Sequence, residues 1–129
     1  MPLRLLDTDV VIDLQHQFPA AIVWFAALDL SQVAVPGFVA MELIQSARNS
    51  REAASADAIV GRLARIWPNE IAADAALVDF RRLHLSHGLG LVDALIGTTA
   101  RERDAILCTF NIKHYRSVPG LNTEQPYQR

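Results

Sequence analysis

The sequence predicts an α/β fold around a mostly parallel sheet, and three observations lead there. Leu3 to Leu6, Val33 to Val35 and Ala105 to Thr109 are short apolar runs of strand length. Longer stretches with helical period lie between them. Strands joined through helices are crossover connections, which make parallel neighbours in a sheet covered on both faces.

The elements follow in order. Leu3 to Leu6 is a buried strand ending at Asp7, and Thr8 or Asp9 caps a helix through about His16. Pro19 opens a second helix, Ala20 to Leu28, carrying Ile22, Val23, Trp24 and Phe25. Val33 to Val35 is a strand, and Pro36-Gly37 turns it into a helix from Phe38 to about Arg48. A further helix spans roughly Arg51 to Leu63, and Ile66-Trp67-Pro68 is a candidate third strand. Ile71 to His84 is helical by period, Gly88 and Gly90 break the chain, and Leu91 to Arg103 is helical again. Ala105 to Thr109 is the last clear strand, and from Ser117 onward the tail is punctuated by Pro and Gly. Repeats, linkers and low-complexity segments are absent, so residues 1–129 are expected to form one domain.

Bulk properties narrow the classes. A hydrophobic fraction of 51% is enough for one good core. No apolar run reaches membrane-span length, and the opening Met1-Pro2-Leu3-Arg4 enters an apolar stretch too short for a signal peptide. The single cysteine, Cys108, has no internal disulfide partner, which fits a reducing, cytoplasmic setting. A net charge of −2 argues against a protein that coats nucleic acid generally. The cations are nonetheless almost all arginine, eleven against the one lysine, Lys113. Arginine pairs bidentately with phosphate, so a few near a cleft could hold RNA locally.

In parallel sheets the ligand crevice lies beyond the carboxyl ends of the strands, and the acids are read against that rule. Asp7 ends the first strand there, where a carboxylate adds nothing to a core; helix capping is the alternative, and is the expected role of Asp9. Glu42 shares a helical stripe with Gln45, Ser46 and Asn49, otherwise a solvated face. Asp93 falls in the first turn of its helix, which suits an anion. Gly97 and Ala100, on the same side, are small enough to let that helix approach the sheet and bring Asp93 near Asp7. Thr109 and Asn111 are polar where the last strand stops and should face the same crevice. Three converging carboxylates must share protons or be neutralised by a cation. Hard oxygen ligands without clustered Cys or His suit Mg²⁺ or Mn²⁺, and phosphodiester hydrolysis is the natural chemistry of such a site.

The run Leu5-Leu6-Asp7-Thr8-Asp9-Val10-Val11-Ile12-Asp13-Leu14 resembles the opening of PIN-domain ribonucleases, and within them the VapC-type toxins of toxin–antitoxin pairs. Met41-Glu42-Leu43 matches the family's second acidic position and Val92-Asp93-Ala94-Leu95-Ile96 its third. Leu107 to Tyr115 is similar to its last strand and loop, so the likeness covers essentially the whole chain. The resemblance implies a three-layer α/β/α sandwich and a Mg²⁺- or Mn²⁺-dependent endoribonuclease. Asp7 and Asp93 would be the main metal ligands, Glu42 would bind metal through water or orient the attacking water, and Thr109 would help position the site. A homodimer and a small inhibitory antitoxin are implied too. Asn111 departs from the family, many members of which carry a fourth acid there; one firm metal is expected and a second is left open. Asp104 cannot replace that acid, because five residues of strand put it roughly 16 Å from the crevice.

Rival classes are weighed on inventory. A haloacid-dehalogenase-like phosphotransferase would use Asp7 and Asp9 but needs a downstream lysine followed by an acidic pair; only Glu124 follows Lys113. His84 and His87 lack a third zinc ligand near in sequence and read as helix-end charges, and Cys108 sits inside an apolar strand. A catalytically weakened RNA- or protein-binding module remains, with Asn111 the hint towards it. Of Phe18, Ile22, Trp24 and Phe25, core packing explains some, and the remainder are expected to line a groove for an antitoxin helix or strand, or the dimer contact. Arg48, Arg51, Arg81, Arg82, Arg101 and Arg103 are the candidate RNA contacts.

Overall fold

A computed structural model describes residues 2–129; Met1, part of the opening read for a leader, lies outside them. The elements are β1 (Arg4–Leu6), α1 (Thr8–Gln15), α2 (Pro19–Ala26), β2 (Val33–Pro36), α3 (Gly37–Ser46), α4 (Ser50–Val60), β3 (Ala64–Ile66), α5 (Glu70–His87), α6 (Leu91–Glu102), β4 (Ile106–Cys108), α7 (Ile112–Tyr115) and β5 (Asn122–Glu124). The five strands form one sheet in the order β3-β2-β1-β4-β5, and every pairing is parallel.

This order sets the position of the site. From β1 the chain steps one way to β2 and β3, then crosses back to β4 on the opposite side of β1. The direction of winding therefore reverses between β1 and β4, where a parallel sheet opens a crevice. Right-handed crossovers put α1–α4 on one face and α5–α7 on the other. The packing agrees: α1 lies against α3 and α4, while α6 lies against α5 and α7. The result is the expected three-layer α/β/α sandwich.

Burial explains why the apolar runs are strands. Leu5, Leu6 and Leu107 are fully buried at the centre of the sheet, with Val10, Val11 and Val39 covering them from α1 and α3. Full burial of each such side chain contributes about 1.5–3 kcal/mol. A second, smaller cluster, Ala76, Leu83, Leu89, Ala94 and Val118, joins α5 to α6.

The boundaries correct several expectations. The helix expected to run to Arg48 stops at Ser46; Asn49 starts α4 instead, accepting the Glu52 N–H at 2.9 Å. The third strand is Ala64–Ile66, shifted towards the N-terminus from Ile66-Trp67-Pro68. Trp67 instead lays its indole against the bare Cα of Gly37, where a Cβ would collide with the ring. The helix expected to end at His84 continues to His87 and is closed by Gly88 in the left-handed region (φ 71°), a conformation that favours glycine. Two elements were not expected at all, the four-residue α7 and the polar edge strand β5. No helix among the described residues is long and apolar enough to cross a membrane.

Candidate active site

Strand register builds the crevice. Leu6 pairs with Cys108, so the next residues on each strand, Asp7 and Thr109, emerge side by side at the switch point. The Asp7 N–H is fixed by the Cys108 carbonyl (3.0 Å) and the Thr109 N–H by the Glu124 carbonyl of β5 (3.0 Å). Asp7 is only 3% exposed, and each carboxylate oxygen accepts one hydrogen bond. Oδ1 takes the Thr8 N–H at 2.8 Å, making Asp7 the N-cap of α1, and Oδ2 takes the Thr109 hydroxyl at 2.8 Å. Capping and a place in the crevice, set against each other in the sequence, turn out to coexist.

Thr8 carries the link to the second acid. Its hydroxyl donates to Glu42 Oε1 at 2.6 Å, so one residue touches Asp7 through its backbone and Glu42 through its side chain. Asp93, in the first turn of α6, reaches the same crevice from the opposite layer. Its Oδ1 accepts the Tyr115 hydroxyl at 3.3 Å, and its Oδ2 lies 3.7 Å from His114 Nδ1. Gly97, one turn on, has the Tyr115 ring and Leu121 against its open face.

Asp9 is not a helix cap. Its Oδ2 accepts the Phe110 N–H at 2.9 Å, tying α1 to the loop after β4, and its Oδ1 is buried without a hydrogen-bond partner among the described residues. Asn111 stands at the rim: its N–H donates to the Thr109 hydroxyl at 3.0 Å while its side chain is exposed.

The electrostatics are those of a site short of positive charge. Burial, first, and then the Asp9 charge push the Asp7 carboxyl up to about 7, with Asp93 adding to the rise and the Thr109 and Thr8 hydrogen bonds opposing it. Asp9 is raised too, chiefly by burial. Burial and the neighbouring Asp7 and Asp93 hold the Tyr115 phenol well above its ordinary range. Among the described residues no three carboxylate, imidazole or thiol groups are gathered tightly enough to surround one ion. Asp7 and Asp93 meet beside Tyr115, whereas Glu42 is drawn to Thr8. The donor set still fits a hard divalent cation: all-oxygen ligands, a carboxyl that burial leaves reluctant to ionise, and an unpartnered buried oxygen on Asp9.

The sequence reading missed Thr8, Tyr115 and the actual contact of Asp9. Thr8 could have been found from its place directly after Asp7; Tyr115 carried no signal beyond closing the family-like stretch Leu107 to Tyr115. Two arginines proposed for RNA are engaged internally. Arg48 pairs bidentately with Glu52, and Arg101 pairs with Asp79 at 2.8 Å while donating to the Pro119 carbonyl. Among the apolar surplus, Phe18 and Trp24 pack against Tyr127, so part of that surplus is internal.

Fold and crevice together define an α/β/α protein with an acidic site at the switch point of a parallel sheet. The family model described as the PIN domain matches residues 4–119. The chain is 34% identical over 131 residues to Ribonuclease VapC19 of Mycobacterium tuberculosis, covering 97% of this chain and 100% of that relative. Among solved structures, a DNA-bound VapBC from Salmonella typhimurium superposes with a TM-score of 0.82 at 24% identity, covering 96% of this chain and 98% of that one. A toxin–antitoxin complex from Klebsiella pneumoniae gives 0.76 at 25% identity, covering 98% and 99%. The chain belongs to the PIN-domain family and, within it, to the VapC-type ribonuclease toxins.

Proposed function

We propose that the protein is a Mg²⁺- or Mn²⁺-dependent endoribonuclease, held in check in the cytoplasm by a small antitoxin and working as a homodimer. The observation that carries this reading is the buried Asp7, pressed beside Thr109 and Asp93 at the β1–β4 switch point. Asp7 and Asp93 would hold the cation, and Asp9 Oδ1 is a spare buried oxygen on a neighbouring carboxylate. When bound, the cation supplies charge neutralisation at the phosphate and acidifies water.

The chain's own residues do the rest. Thr8 and Thr109 clamp the two oxygens of Asp7, so that its carboxylate needs little reorganisation. With Oε1 held by Thr8, Glu42 can turn Oε2 to a water and accept its proton as the water oxygen attacks phosphorus. The P–O bond to the leaving nucleotide breaks as the new one forms, and the departing oxygen takes a proton from solvent. Asn111, exposed at the rim, is available to an RNA phosphate or base. Arg51, Arg81, Arg82 and Arg103 remain exposed candidates for backbone contact.

A groove of about 320 Å³ lies between α1, α3 and α4, lined by Ile12, Gln15, His16, Leu43 and the Arg48–Glu52 pair. Beside it, Ile22 and Phe25 line a second groove of similar size. These grooves suit an antitoxin segment with alternating apolar and polar side chains.

Cleavage of defined structured RNAs with and without Mn²⁺, beside Asp7→Asn and Asp93→Asn, tests the reading. Metal-dependent cutting that falls at least a hundredfold in either variant is expected; cutting that ignores metal or both substitutions overturns it. The rival, a PIN scaffold without catalysis, draws support from the absence, among the described residues, of three acids gathered round one point. That rival predicts no thermal stabilisation by Mn²⁺, whereas the nuclease predicts one that grows with metal concentration.

A further inference from the structure

The Tyr115 side chain is in contact with the site but has no role in the chemistry just described. It is almost fully buried, the largest of the fully buried side chains, and its ring rests on the open face of Gly97 in α6. Its hydroxyl donates to Asp93 Oδ1 at 3.3 Å, and the Asp7 carboxylate is its other acidic neighbour. The length exceeds that of an ordinary O–H···O bond. The backbone holds the ring in place: Asn111 accepts the Tyr115 N–H at 3.3 Å, and Tyr115 accepts the Val118 N–H at 3.0 Å.

Two neighbouring carboxylates repel, and each would swing away unless a hydrogen-bond donor stands between them. A hydroxyl on a rigid aromatic ring does this while adding no charge, and leaves the outer lone pairs free for a cation. We propose that Tyr115 is a positioning residue that bridges Asp93 and Asp7 and sets their spacing for the metal. The inference rests on the nuclease reading above for its consequence, although the bridge itself does not.

Tyr115→Phe removes one oxygen and keeps the ring on Gly97. It should weaken Mn²⁺ binding, measured by calorimetry on the full chain, by about tenfold, the worth of one hydrogen bond to a charged group. At saturating metal it should lower kcat while leaving KM for RNA unchanged. Unchanged or tighter Mn²⁺ binding overturns the proposal, as does a change in KM alone.

A second measurement separates this idea from the nuclease reading. The chain has two tyrosines, so carbon-13 labelling of the phenol carbon gives two resonances, and Tyr127→Phe identifies the one from Tyr115. In the metal-free protein that resonance should move in both Asp93→Asn and Asp7→Asn. Movement in only one of them, or in neither, removes the bridge even if the protein cuts RNA. Movement in both supports the bridge even if no RNA is cut, a result that would count against the nuclease reading alone.

Discussion

At the scale of the residue, the tension at the site is concentrated in Asp7. Its carboxyl titrates at about 7 in the folded protein against 3.8 for an unperturbed group, because burial and Asp9 disfavour the charge. The folded state therefore holds this proton more tightly than the unfolded chain does. The stabilising contribution is complete below about pH 4 and is lost as pH rises towards 7, on the order of a few kcal/mol in all. Denaturant melts of the metal-free protein should show stability falling over that window, with Asp7→Asn flattening the fall. A wild-type curve that rises with pH there would contradict the assignment. Asp7 and Thr109 were legible because a polar residue at the end of an apolar strand has one place to go. The contacts of Asp9 and Tyr115 were not, because they join residues separated by 101 and 22 positions through side-chain geometry alone.

At the scale of the element, legibility followed the strength of the apolar pattern. β1, β2 and β4 were readable because their residues are buried on both faces. β5 is Asn-Thr-Glu, a partly exposed edge strand held by backbone pairing with β4 and by the Arg4–Glu124 ion pair, so no hydrophobic run announces it. It nevertheless anchors the Thr109 N–H, which makes an unreadable strand part of the site. What delivers β5 to that edge includes the Arg101 clasp, which joins α6 to buried Asp79 of α5 and to the Pro119 carbonyl ahead of the strand. Removing one partner of a largely buried pair leaves the other charge uncompensated. Asp79→Ala should therefore cost about 3–5 kcal/mol in urea melts, where a neutral result would show the pair to be dispensable.

At the scale of the whole molecule, the parallel α/β architecture was predictable from strand spacing, but strand order was not, since nothing local distinguishes a forward crossover from a return. The order matters because it places the switch point, and with it the crevice, between β1 and β4.

The tail then packs against α1, α2 and the loop after β4. Tyr127 packs against Phe18, Trp24 and Phe110, and donates its hydroxyl to Asp13 Oδ2 at 2.7 Å. Arg129 grips the same carboxylate and lies over the Phe110 ring. Phe110 is the residue whose N–H is held by Asp9, so the tail braces the loop that carries Thr109 and Asn111. Tyr127→Ala removes three aromatic contacts and one hydrogen bond from a half-exposed position, which should cost roughly 2–3 kcal/mol. If the brace acts on the loop, amide exchange at Phe110 should quicken by more than at Leu5 or Leu107 in the sheet. Equal acceleration at all three would mean that the tail stabilises the molecule globally and leaves the crevice no less ordered than its core.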